Sequence, residues 1–221
     1  MLTLVPTPVG NLEDITLRAL RVLREADLIA AEDTRHAGIL LRHHGISRPL
    51  LSLHEHNEAQ RAEDIAQRLA AGENIALLTD AGTPGISDPG FRVVRACLER
   101  GLELTVLPGP TSILPALVGS GLPLHEFYFG GFLPVKSGRR QTVLTEALAR
   151  RETSIFFESP HRIAKSLAVL ASIAPERQVC VARELSKKFE EYWRGPAAEL
   201  SARAEKNPPR GEICLLVAGS D

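Results

Sequence analysis

Long apolar runs are missing from this sequence of 221 residues. No stretch approaches the roughly 20 residues that a membrane helix needs, and Met1 leads straight into strand-like sequence, leaving no room for a signal peptide. The expected setting is the cytoplasm, with no membrane partner. Cysteine is scarce as well. Cys97, Cys180 and Cys214 are isolated, odd in number and set among apolar residues. That excludes a disulfide framework and a zinc motif, and predicts buried free thiols. His54 and His56 could leave a strand on one face, but no third ligand accompanies them, so no metal is expected. Four common signatures are absent too: Gly-x-Gly-x-x-Gly, the phosphate-loop Gly-Lys-Ser/Thr, His-Glu-x-x-His and Gly-x-Ser-x-Gly.

Positive charge is short in one half only. Residues 1–115 contain no lysine and carry 11 arginines against 15 acidic residues, a net of −4, whereas residues 116–221 carry 15 basic against 12 acidic residues, a net of +3. The overall charge of −1 argues against a non-specific nucleic-acid binder. The asymmetry leaves a localised basic surface open.

What is present is a globular composition, 44% hydrophobic, enough to fill the cores of one large or two small domains. Short apolar runs alternate with helical patterns. Strands are expected at 2–5, 28–31, 50–53, 75–78 and 104–107, with helices near 15–26, 34–43, 57–71 and 89–100 between them. Such alternation predicts βαβ crossovers and a parallel sheet covered on both faces. After a short helix at 112–118, Pro123 marks the expected joint, dividing the chain into domains 1–119 and 120–221. Further strands at 127–132, 154–157, 179–182, 189–194 and 213–217, with helices at 138–150, 161–173 and 196–206, predict a second, mixed α/β domain. Two α/β domains of this kind would hold a ligand in the cleft where they meet.

The run Asp80-Ala81-Gly82-Thr83-Pro84-Gly85-Ile86-Ser87-Asp88-Pro89-Gly90 follows the buried strand at 75–78. Its glycines let backbone approach a ligand with no Cβ in the way, and its prolines hold the path. Asp88 is the expected N-cap of the next helix, with Pro89 at its first position and Phe91, Val93, Val94 and Leu98 as its apolar side. Two similar loops, Pro6-Thr7-Pro8-Val9-Gly10-Asn11 and Pro108-Gly109-Pro110-Thr111-Ser112, also follow strands, which suggests one shared rim at the carboxyl ends. Glu32-Asp33-Thr34-Arg35 and His54-Glu55-His56-Asn57 close two neighbouring strands, and there Asp33 and Asn57 read equally as helix caps. Lys136, Arg139 and Arg140 lie at a helix start, where positive charge is unfavourable unless an anion joins it. Phosphate binding competes there with simple solvation, and Arg183, Lys187 and Lys188 follow another strand.

These loops, together with Gly131-Phe132-Leu133-Pro134, Glu158-Ser159-Pro160-His161-Arg162, Arg183-Glu184-Leu185 and Gly211-Glu212, closely resemble, in order and over nearly the whole chain, a family of tetrapyrrole-methylase-like enzymes. Members of that family methylate the ribose 2′-oxygen of a cytidine in the decoding region of 16S rRNA. The resemblance implies two α/β domains, S-adenosylmethionine as cofactor, 16S rRNA within the 30S subunit as partner, and a homodimer. Members commonly continue past the final strand into a small helical extension, whereas this sequence ends at Asp221.

Under that reading Pro8, Gly10, Asp80, Ala81, Gly82, Thr83, Ile86, Ser87, Thr111, Ser112 and Phe157 are the expected cofactor contacts. Asp33, Arg35, His54, Glu55 and Glu158 are the candidates for acting on the hydroxyl, and Arg35, Lys136, Arg139, Arg140, Arg183 and Lys187 for holding phosphates. Two rivals stand beside it: a sister methylase of a tetrapyrrole or small metabolite, which only ten aromatic residues and a basic second half disfavour, and a catalytically silent cofactor-binding or ribosome-assembly module.

Overall fold

Every residue of the apolar run Ile75–Leu78 is buried, because the strand it forms is covered on both faces. In the computed structural model, which describes residues 1–220, the chain divides into two units, Met1–Thr111 and the part from Ser112 onward.

The first unit runs β1 (Leu2–Leu4), α1 (Leu17–Glu25), β2 (Leu28–Ala31), α2 (Thr34–His43), β3 (Leu50–Ser52), α3 (Glu58–Ala70), β4 (Ile75–Leu78), α4 (Phe91–Glu99) and β5 (Leu104–Val106). The five strands form one all-parallel sheet in the order β3-β2-β4-β1-β5, as the alternation predicts. Successive side chains of a strand point to opposite faces, and here each face has its own core. Ile29, Ala31, Ala76 and Leu78 meet Ala19 and Leu23 of α1 and Ala37, Leu40 and Leu41 of α2. Leu2, Leu4, Leu28, Ala30, Ile75 and Leu77 meet Ala62, Ile65 and Leu69 of α3 and Val93 and Cys97 of α4. Each fully buried leucine or isoleucine contributes about 1.5–3 kcal/mol.

The connections leave adjacent strands in opposite directions. From β1 the chain passes by α1 toward β2, while from β4, its neighbour, it passes by α4 toward β5 on the other side. Because α1 and α4 lie on opposite faces, β1 and β4 flank a topological switch point, where open α/β sheets form a crevice beyond the strand ends.

The second unit runs α5 (Ile113–Ser120), β6 (Phe127–Phe132), α6 (Ser137–Ala149), β7 (Thr153–Glu158), α7 (Ile163–Ile173), β8 (Gln178–Arg183), β9 (Glu191–Pro196), α8 (Ala197–Lys206) and β10 (Ile213–Val217). Its sheet has the order β6-β7-β10-β8-β9, and only the β6–β7 pair is parallel, which is the expected mixed sheet. Helices α6, α7 and α8 cover one face, through Leu144, Leu167 and Leu200. Helix α5 covers the other, where Ala116 and Leu117 pack with Ile155, Cys180, Cys214 and Leu216. This packing moves the joint. The helix expected to close the first domain belongs to the second, so the division falls at 111/112 rather than 119/120.

All three cysteines are buried and free. Burial pushes the Cys180 thiol up to about 11 and that of Cys214 to about 12. No helix among the described residues is long and apolar enough to cross a membrane.

Candidate active site

The loops after β1 and β4 meet at the switch point. Thr7 and Gly82 exchange both backbone hydrogen bonds, each at 2.9 Å, and the Thr7 hydroxyl donates to the Thr79 carbonyl at 2.9 Å. The third loop joins them through Gly109, where an added Cβ would stand 2.8 Å from the Pro6 side chain. One shared rim within the first unit is therefore observed.

Gly82 and Gly85 hold φ of 77° and 85°, the left-handed region that glycine enters without a steric cost. Ser87 adopts 64° despite its Cβ, a strained position of the kind that clusters at functional sites. Below the rim a narrow cavity of about 50 Å³ is lined by Thr7, Pro8, Leu12, His36, Leu78, Thr79 and Asp80, among others. Thr79 is 1% exposed and its hydroxyl has no hydrogen-bond partner.

Carboxylates gather here. Asp80 accepts from the Asp33 backbone N–H at 3.2 Å and lies 3.7 Å from Nδ1 of His36. Burial, then repulsion from Glu32 and Asp80, push the Asp88 carboxyl up to about 7. Burial followed by the charge of Asp80 raises Glu32 as well. Neither Glu32 nor Asp88 stands out as a site residue in the sequence. Asp88 reads there as a cap, and the three carboxylates are 48 and 8 residues apart along the chain, so only the parallel sheet brings them into mutual range.

The expected N-cap at Asp88 and helix start at Pro89 are corrected. Helix α4 begins at Phe91 with Gly90 as N-cap at φ 140° and no side-chain cap of its own. Its orphan donors are met instead by the buried Glu58 of α3, whose Oε1 accepts from Gly90 N at 2.8 Å and Arg92 N at 3.0 Å. The apolar side shifts too. Phe91 and Leu98 are exposed, and Val93 and Cys97 carry the burial.

Asp33 caps α2 by accepting from Arg35 N at 2.8 Å, and its carboxylate takes Arg35 Nε and Nη2 at 3.1 and 2.7 Å. Hydrogen bonds from Arg35 hold it well below the usual carboxylate range. Asp33 is thus a helix cap and the half-buried partner of the exposed Arg35. In the His54 turn, the Asn57 side chain accepts from His54 N at 2.9 Å and donates from Nδ2 toward His54 Nε2 at 3.1 Å. Asn57 therefore organises the turn and provides no side-chain cap to α3. With Nε2 accepting, a neutral His54 ring carries its proton on Nδ1, which is buried without a partner. Glu55 and His56 are exposed beside it.

Three expectations in the second unit need correction. Glu158 is 3% exposed and already engaged: Oε1 accepts from Ser159 N at 2.7 Å and Arg162 Nε at 3.0 Å, and Oε2 from the Ser166 hydroxyl at 2.6 Å. It staples β7 to α7, and its side chain is fully buried. Arg140 is buried, with Nη1 donating to the carbonyls of Pro134 and Val135, so it tethers its own loop rather than a phosphate. Lys187 is paired with Glu184 and Glu212 at 3.0 and 2.9 Å. Lys136 and Arg139 remain exposed. Ser112 is the N-cap residue of α5, and the half-buried Phe157 ring lies against Phe129 and Phe132, so both residues belong to the second unit. Thr111 is half-buried at the end of the third loop.

A crevice at a switch point floored by glycine-rich backbone and edged by carboxylates suits a ligand with an extended polar body and positive charge. The family model for Tetrapyrrole (Corrin/Porphyrin) Methylases matches residues 1–201. The chain belongs to the tetrapyrrole methylase family. Curated relatives named Ribosomal RNA small subunit methyltransferase I include that of Escherichia coli O157:H7, 49% identical over 99% of this chain and 77% of the relative. The Synechocystis relative is 47% identical over the whole chain and 79% of its own length, and that of Thermotoga maritima 42% identical over the whole chain and 99% of its own. Among solved structures, the methyltransferase CobJ superposes with a TM-score of 0.73 at 20% identity, covering 98% of this chain and 93% of that one. Uroporphyrin-III-C-methyltransferase from Thermus thermophilus gives 0.68 at 22%, with the same coverage. Those two likenesses speak to the fold, in which a parallel sheet is followed by a mixed one.

Proposed function

We propose that this chain is an S-adenosylmethionine-dependent methyltransferase that modifies small-subunit ribosomal RNA, transferring the methyl to the ribose 2′-oxygen of a cytidine in the decoding region of 16S rRNA. The observation that carries the reading is a contrast. Relatives named for the small-subunit RNA are 42–49% identical over 99–100% of this chain, whereas CobJ and the uroporphyrin-III-C-methyltransferase are 20–22% identical and share its architecture. The basic second half and scarcity of aromatic residues point the same way.

The rim fits this cofactor. Gly82 and Gly85 keep the floor free of Cβ atoms, and the carboxylates of Glu32, Asp80 and Asp88 suit a cationic sulfonium and ammonium as well as ribose hydroxyls. Pro8, Gly10, Asp80, Ala81, Gly82, Thr83, Ile86, Ser87 and Thr111 are the residues proposed to hold it. Bound S-adenosylmethionine supplies a methyl already activated on sulfur, so the protein's tasks are to orient the acceptor, exclude water and accept a proton. Asp33 is a poor proton acceptor because Arg35 stabilises its charged form. Arg35 itself is exposed and suited to hold a phosphate through its fork of donors. His54 and Glu55 on the neighbouring strand end, and Asp88 with its affinity for a proton near neutrality, are the groups proposed to act on the hydroxyl. The 30S subunit as the particle recognised, the cytoplasm as its location and a homodimer as the working assembly complete the proposal.

The test is transfer of radiolabelled methyl to 30S subunits that lack the modification, followed by nucleotide mapping. Label on one cytidine ribose of 16S rRNA is the expected result. Transfer to a tetrapyrrole instead, or cofactor binding with no transfer to any RNA, overturns it.

A further inference from the structure

A concavity that the rim does not use lies in the second unit, and arginine dominates it. A cavity of about 380 Å³ is lined by Arg183 from the end of β8, Glu191 and Trp193 from β9, Arg203 and Asn207 from α8 and the turn after it, and Pro208, Pro209 and Arg210 leading to β10. Three guanidinium groups face one carboxylate. Glu191 bridges two of them, accepting from Arg203 Nη2 at 2.6 Å and from Arg183 Nη1 at 3.3 Å, and the neighbouring Trp193 indole, followed by these two arginines, holds its carboxyl below the ordinary range. Arg183 is held further by the carbonyls of Phe189 and Arg210. Arg210 is exposed and pairs with no carboxylate among the described residues.

The geometry of Arg203 is the informative part. Its guanidinium carbon sits over the Trp193 ring, 4.1 Å from the ring centre, and its side chain is 46% exposed. Trp193 is 4% exposed, with its indole beside the Glu191 carboxylate. A half-exposed guanidinium held over a ring and tied to Glu191 offers a planar group for stacking. Unpaired bases stack on such planes, and the adjoining phosphodiester seeks a neighbouring free cation. Pro208 and Pro209 add apolar walls.

We propose that this cavity binds one nucleotide of single-stranded RNA, its base against the outer face of Arg203 and the prolines, and its phosphate on Arg210. The site rests on the RNA reading above and deepens it, because its lining residues all belong to the second unit and none is a residue of the methyl-transfer rim. It also replaces the loop with Arg140 as the principal RNA-binding feature of the basic half.

The test uses the full-length protein and a short fluorescent single-stranded oligoribonucleotide, with anisotropy read across a salt series and methyl transfer to 30S subunits run in parallel. Arg210→Ala removes an unpaired surface charge and should leave the melting curve unchanged, while the slope of log affinity against log salt falls by about 0.7. Arg203→Lys keeps the charge, and so the slope, but loses the plane, and should weaken binding by roughly 5- to 150-fold, the range for losing one stacked base. Both variants should raise KM for 30S subunits, leave kcat near wild type and leave calorimetric affinity for S-adenosylmethionine unchanged. Wild-type affinity and slope in both variants overturn the site. A lowered slope in Arg210→Ala with no weakening in Arg203→Lys overturns the base-stacking part and leaves a plain phosphate site. Wild-type protein that binds the oligoribonucleotide but methylates no RNA sinks the proposed function while the pocket stands.

Discussion

Asp88 puts the chemistry of one residue under pH control. Folded, its carboxyl keeps a proton up to about 7, whereas unfolded it releases it near 4. Between those values the native state binds more protons than the unfolded state, so its contribution to stability declines as pH rises through the window and levels off above it. The group is only partly buried, and solvent screening reduces the effect to roughly 1–2 kcal/mol. Asp88→Asn cannot ionise. Chemical denaturation at pH 5 and pH 8 should therefore show the wild type losing stability relative to the variant at the higher pH. An identical difference at both values would mean that Asp88 does not titrate there. Asp33, under the Arg35 fork, runs the opposite way and stays charged throughout this window. The sequence makes Asp33 and Asp88 look alike, as acidic residues before a helix. What separates them is the company each keeps, Arg35 for one and Glu32 with Asp80 for the other, and the second arrangement is set only by tertiary structure.

At the scale of elements, Glu58 ties the loop that follows β4 to helix α3. Glu58→Ala leaves two backbone donors without an acceptor at a buried helix end, which costs about 1–3 kcal/mol. It also frees the segment from Asp80 to Gly90. Thermal melts should drop, and calorimetric titration should show weakened S-adenosylmethionine binding, while Glu58→Gln, which retains an acceptor oxygen, stays close to wild type. Unaltered cofactor affinity in a destabilised Glu58→Ala protein would separate the loop from the site. The periodicity of the sequence places every strand and helix within two residues of its ends, since paired apolar faces leave strong traces in order along the chain. The cap does not show itself, because a carboxylate 32 residues upstream leaves no local trace, and Asp88-Pro89 imitates a starting signal. The staple of Glu158, Arg162 and Ser166 at intervals of four is similarly hidden, because Glu158 closes β7, Arg162 is the N-cap of α7 and only Ser166 lies within the helix. Arg140 and its neighbours separate in the same way. Arg140→Ala should lower stability by about 1–3 kcal/mol by removing two hydrogen bonds to carbonyls, with an unchanged salt slope for RNA binding. Lys136→Ala with Arg139→Ala should leave the melt alone and flatten that slope by up to about 0.7 for each phosphate the two side chains hold. A stable Arg140→Ala protein with a flattened slope would return that residue to the RNA.

For the whole molecule, the charge difference between the halves follows the architecture. The acidic half carries the carboxylate-edged rim and the basic half the arginine cavity. The rim is legible because its three loops share glycine and proline; the cavity is not, because Arg183, Trp193, Arg203 and Arg210 share no motif and meet only through β9 and α8. The order of strands has one more outcome. Strand β10, made last, lies in the middle of the second sheet between β7 and β8. During synthesis the first sheet has all its strands once Val106 has emerged. The second keeps two apolar strand edges unpaired until Val217 is added, roughly 2–7 s after Arg183 at ~5–20 residues per second. For that interval the nascent chain carries open templates for pairing with other chains. Substitutions in Ile213–Val217 therefore act on how much folded protein a cell accumulates before they act on what each folded molecule does.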